Sequence, residues 1–167
     1  MKKMIFIGII LAAFFIGLTQ VNATAADNTS FGIYVVQPQF AAIERKGNTG
    51  QDVITELGSL QVIKNKNAST RQAAPRVQTN TVVKNLISGD LGVMTGRLTI
   101  LTNNSAALRD AINALDLKQV KTINHGAVVM VEAPAGVDLL SIQARLKAII
   151  GVREVKLDVL DNLLKPQ

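Results

Sequence analysis

Between Leu98 and Val159, two helix-spaced apolar stripes alternate with four short strand-like runs. This order constrains the fold more than any other feature of the 167-residue chain. Leu108, Ala111, Ile112 and Leu115 stand at i, i+3, i+4 and i+7, which puts all four on one face of a helix, and Asn103, Asn104 or Ser105 can serve as its N-cap. Leu139, Ile142, Leu146 and Ile149 form the second stripe, with Asp138 as a candidate cap and Gly151 fitting the C′ position after it. Around them lie Leu98–Thr102, Val120–Ile123, Ala127–Val131 and Val155–Val159, the last in clean apolar–polar alternation. Asn124-His125-Gly126 reads as the turn between the middle two runs, and Pro134-Ala135-Gly136 breaks the chain before the second helix. The β-α-β-β-α-β order predicts an α+β fold whose C-terminal module is ferredoxin-like. That means a four-stranded antiparallel sheet with both helices on one face and the other face free to bind. The fold by itself does not name what binds there.

The preceding stretch, residues 26–92, is rich in Asn, Gln, Thr and Gly and carries β-like pieces at Phe31–Val36, Ser59–Lys64 and Val77–Ile87. Residues 65–75 lack apolar periodicity and read as a loop. The turn cluster Ser88-Gly89-Asp90-Leu91-Gly92 is read as the boundary, giving a small β-rich N-terminal region and a second domain over 93–167. Residues 1–25 stand apart. Lys2-Lys3 is a positive n-region, Met4 to Leu18 is an apolar run short of the ~20 residues that span a bilayer, and Ala23-Thr24-Ala25 is a small-x-small cleavage signal. Val21-Asn22-Ala23 offers a second cut. The expectation is an exported protein, in the periplasm or the medium, with no membrane attachment after cleavage.

With that leader set aside, the composition changes meaning. Subtracting its two lysines from 18 Lys+Arg leaves 16 basic against 12 acidic groups, a net charge of +4 rather than +6. The basic residues are scattered, and the only aromatics beyond the leader are Phe31, Tyr34 and Phe40, so neither an electrostatic funnel nor a stacking platform for nucleic acid is present. With no cysteine, disulfides and thiolate zinc sites are excluded. The single histidine, His125, lies in a turn without a partner nucleophile, and the carboxylates form no cluster at ligand spacing. No enzyme chemistry, cofactor or metal is expected.

Residues 97–167 run through a GRLTILT strand, an NHGAVVMVEAP hairpin, a VDLLSIQARLKAI helix and a closing GVREVKLDVLDNLLKPQ segment. With these motifs the stretch resembles the propeptides of subtilisin-like serine proteases, the inhibitor I9-type prodomains. The chain stops at Gln167, where a precursor would continue into its catalytic domain, so it is similar to the stand-alone external chaperones of secreted subtilases. The resemblance implies an intermolecular chaperone and inhibitor, monomeric until bound 1:1 to a subtilisin-like protease. Its sheet face would dock on surface helices of that protease, with acids capping the helix N-termini. Asp158 matches one such acid. Lys156 stands where the companion acid is usual, and Glu154 is the substitute. The tail, residues 160–167, would lie extended in the active-site cleft by strand addition, contributing Leu160, Leu163, Leu164, Lys165, Pro166 and Gln167. Either Leu164 or Gln167 would fill the primary specificity pocket. The alternative is an exported ferredoxin-like binding or structural module unrelated to proteases.

Overall fold

The structure, a computed structural model, describes residues 29–45, 52–65 and 76–161. In chain order these hold β1 (Ser30–Phe31), β2 (Tyr34–Val36), β3 (Phe40–Glu44), β4 (Val53–Leu57), β5 (Leu60–Lys64), β6 (Val82–Asn85) and β7 (Leu91–Thr102). They continue with α1 (Ser105–Ala114), β8 (Lys118–Ile123), β9 (Val128–Glu132), α2 (Leu139–Lys147) and β10 (Val152–Asp161). Residues 1–28 (which include the expected leader), 46–51, 66–75 (most of the expected loop) and 162–167 lie outside the described residues.

The architecture is α+β, and β7 is its spine. Along one edge, β7 pairs first with β6 (Val82 opposite Val93) and then with β9 (Leu98 opposite Val131). Along the other edge it pairs with β10 from Gly92 to Thr102. Continuing outward, β2 and β1 follow β6, and β8 follows β9, so the sheet has seven antiparallel strands among the described residues. Every even-numbered residue of β7 from Gly92 to Thr102 is buried, the period-2 pattern of a strand with one face in a core. On that inner face Met94, Leu98 and Ile100 meet Leu108 and Ile112 of α1 and Leu139, Ile142 and Leu146 of α2. The helical stripes read from the sequence therefore supply the core, each fully buried side chain contributing on the order of 1.5–3 kcal/mol.

A second, three-stranded sheet in the order β3-β5-β4 lies on the other face. Its Leu57 and Val62 pack with Val82 of β6 and Val93 of β7, and Phe40, Ala42, Leu60, Leu91 and Leu160 complete this cluster. The outer face, expected to be free, is thus covered at one end and open at the other. The sheet has seven strands among the described residues where four were expected, because β1, β2 and β6 extend it beside the first half of β7.

Several local readings change. Phe31–Val36 is two strands, since Gly32 at φ +55° turns the chain between them. Val77–Ile87 pairs as a strand only over Val82–Asn85. The 88–92 cluster belongs to the turn and first pairs of the β6–β7 hairpin. Asn104 is the cap of α1, its Oδ1 accepting the Ala107 amide at 3.2 Å. Asp138 occupies the N-cap position of α2 but makes no capping bond to that helix; its Oδ1 accepts the Val77 amide at 3.3 Å, while the Leu139 amide donates to the Val77 carbonyl at 2.7 Å. Gly151 is not the C′ residue, because Ala148 caps α2. At φ +92° Gly151 turns the chain into β10, where a Cβ would sit 2.6 Å from the Asn104 Cβ.

Candidate functional site

Alternation along β10 sorts its side chains onto two faces. Val155, Leu157 and Val159 belong to the helix-side core, while Glu154, Lys156, Asp158 and Leu160 point the other way. The three charged residues of this row are exposed. At ~3.3 Å of rise per residue, Glu154 and Asp158 stand about 13 Å apart on the same face. Lys156 between them bridges to Glu154, its Nζ 3.3 Å from Oε1, with both groups at least half exposed. A pair so open to water is worth little to stability, and Glu154 can exchange it for another partner.

Register carries this row across the sheet, because opposed residues of antiparallel strands share a face. Glu154 lies opposite Leu101, which lies opposite Val128 and then Ile123; Lys156 lies opposite Thr99, Met130 and Lys121 in turn. Leu101 and Ile123 remain 37% and 39% exposed. The open end of the sheet is therefore a shallow apolar strip flanked by the charged row of β10. On its other edge β10 has no strand neighbour among the described residues; Gln143 Nε2 donates to the Val155 carbonyl there at 2.8 Å.

Toward Asp161 the row becomes anchored. Opposite Asp158, β7 places the three residues Thr95, Gly96 and Arg97 against one, a bulge that Gly96 permits at φ +81°. Thr95 Oγ1 lies 2.9 Å from Asp158 Oδ2 and 3.2 Å from the Asp158 carbonyl. Leu160 turns under the three-stranded sheet. Asp161 pairs with Gly92, and the Tyr34 hydroxyl donates to its Oδ2 at 3.2 Å.

Tyr34 loses acidity in this setting. Burial comes first, then the charge of Asp161 and the hydrogen bond to it, then the charge of Asp158, all raising its pKa from the ordinary 10.0. A folded value above the unfolded one stabilises the protein fully below the unfolded pKa, and that contribution is lost as pH rises through the folded value. Because Tyr34 is the chain's single tyrosine, its phenolate absorbance reports this site alone. The midpoint is expected above 10.0 in the folded protein and near ~10 in urea, with Asp161→Asn recovering only part of the difference. A folded midpoint at or below that of the urea-unfolded chain contradicts the contact.

Of the sequence-predicted site residues, the structure puts Glu154, Asp158 and Leu160 in one row, with Leu160 under the small sheet. Leu163, Leu164, Lys165, Pro166 and Gln167 lie outside the described residues. Sequence reasoning missed Tyr34 and Thr95. The only hint was that Phe31, Tyr34 and Phe40 crowd one short stretch of the chain, a signal of packing without a direction. His125 sits exposed in a short 3-10 turn at φ +53°. Among the described residues, no group of three or more His, Asp or Glu could hold a metal ion.

No curated protein matches the chain. Among solved structures, a chain in the crystal structure of the Aeromonas sobria serine protease and chaperone (ORF2) complex is similar over 55% of this chain and 87% of that one, at 21% identity and a TM-score of 0.45. The family model for the open reading frame 2 N-terminal domain matches residues 21–166. The chain belongs to the open reading frame 2 N-terminal domain family.

Proposed function

We propose that this chain is an external chaperone and inhibitor of a co-exported subtilisin-like serine protease. The observation that carries the reading is the outer row of β10, which runs from two exposed acids 154 and 158 directly into the leucine-rich segment 160–167. One strand would thus present a docking face and lead into the tail, the arrangement implied by the resemblance of residues 97–167 to subtilase propeptides. The chaperone in the Aeromonas sobria complex is found with a serine protease, the same class of partner.

The mechanism follows from the chemistry of the row. Asp158 and Glu154 would accept unpaired N–H groups at the N-termini of two surface helices of the protease, where the helix dipole favours a negative charge. The strip around Leu101 and Ile123 would cover the apolar surface between them. The ferredoxin-like unit formed by β7 to β10 would serve as the rigid platform. The segment beyond Asp161 would enter the substrate cleft and pair by strand addition. Surfaces that dock on helices before the protease has made its long-range contacts assist folding, and the same surfaces on the native enzyme block it.

The test is refolding. Denatured partner protease diluted with an equimolar amount of the leaderless chain should regain its native form at least tenfold more than without it, measured as protease activity after the chain is digested away. Equal recovery in both arms rejects the chaperone reading.

A further inference from the structure

The row that leads into the tail is gripped from both faces at its last three residues, and the grip comes from the N-terminal half. Val159 faces inward over Gly92, where a Cβ would come within 2.7 Å of Val159 Cγ1, so any side chain there would displace Val159. Leu160 faces outward into the cluster of Leu57, Val62, Phe40 and Leu60 from the three-stranded sheet. Gly58, in the β4–β5 turn, lies against Leu160 as well; a Cβ there would be 3.8 Å from Leu160 Cδ2. Asp161 faces inward again, its backbone paired with Gly92 and its carboxylate accepting the Tyr34 hydroxyl. Three consecutive residues are therefore fixed on alternate sides. Two of those fixings use residues more than 90 positions away, in a region whose own strands contribute nothing to the open docking strip.

We propose that the N-terminal region positions the tail through its root: Tyr34 and the underside of the three-stranded sheet fix Leu160 and Asp161, the last described residues of β10. The inference rests on the tail-in-cleft reading. A strand that frayed at Val159 would let the tail sweep many directions, and entry into a cleft would then have to select one of them. A root held at Leu160 and Asp161 removes that freedom at the tail's start, and pre-organisation of this kind raises affinity without adding a contact to the partner. Tyr34 and Leu160 thus act as positioning residues, Tyr34 without touching the protease.

The experiment is a double-mutant cycle on inhibition of the partner protease, using Tyr34→Phe and Leu160→Ala in the full chain and in a chain lacking residues 162–167. Tyr34→Phe removes one hydroxyl and keeps the half-buried ring, and circular dichroism checks that both it and Leu160→Ala stay folded. In the full chain each substitution should raise the inhibition constant about 3- to 10-fold; in the shortened chain, less than about 1.5-fold, because there is no tail left to aim. Equal losses in both backgrounds overturn the inference, since the residues would then act through the platform. No loss in the full chain, with the tail deletion still costly, overturns it while leaving the tail-in-cleft reading intact. A tail deletion without effect rejects that reading, and this inference with it.

Discussion

Removal of residues 162–167 is expected to weaken inhibition of the partner protease by at least about 100-fold, the equivalent of ~2.7 kcal/mol at ~1.4 kcal/mol per tenfold. Six residues added as a strand can form several backbone hydrogen bonds, each worth a net ~1 kcal/mol. Leu163 and Leu164 add apolar burial of roughly 1.5–3 kcal/mol for each side chain seated in a pocket. Against this stands the cost of ordering the segment, about 1–2 kcal/mol per residue for a chain with no preferred direction. Orientation at Asp161 lowers that cost, which is why the net loss on deletion is large. The measurement is the inhibition constant of the shortened and full chains against the same protease, with circular dichroism to show that the platform is intact. Inhibition unchanged within threefold would mean that the sheet face alone blocks the enzyme.

The second large effect is on stability. Leu98→Ala should cost about 3–5 kcal/mol, since Leu98 is fully buried where β7 meets Leu157, Val131 and the helix side chains. Packed between two strands and two helices, its neighbours cannot close the space that the three lost heavy atoms would open. A domain of this size is stable by only ~5–15 kcal/mol. The urea midpoint should therefore fall sharply with an unchanged m-value. Arg97→Ala, one residue away on the exposed face, should stay within about 0.5 kcal/mol of the parent. A loss below ~1 kcal/mol for Leu98→Ala would mean that the inner face of β7 is not a sealed core.

The second half of the chain was legible because its periodicities are long. Leu108, Ile112, Leu139, Ile142 and Leu146 were read as helix stripes and are buried; Val155 to Val159 was read as a strand and lies in β10. The start of β7 was missed for a specific reason. Gly92 and Gly96 look like turn residues, yet Gly92 is needed for close approach of Val159 and Gly96 for a bulge against Thr79. In the N-terminal region the strands have two to five residues, too few for alternation to rise above chance. Phe40–Glu44 and Val53–Leu57 were unread for that reason. Asp138 shows a competing outcome, a residue at a cap position whose carboxylate serves a distant backbone amide. The row Glu154, Asp158, Leu160 could be read from local alternation. Its anchoring by Tyr34 and Leu57 could not, because no local pattern links residues about 100 positions apart.

Pairing of β10 with β7 along almost its whole length has a consequence for timing. A chain leaves the ribosome from its N-terminus, so β10 is the last of these strands to be made. It both seals the helix-side core and carries the row proposed to dock. No incomplete chain can present the acids of that row on a finished sheet. The surface that would assist another protein's folding comes into existence only when this protein's own folding is complete.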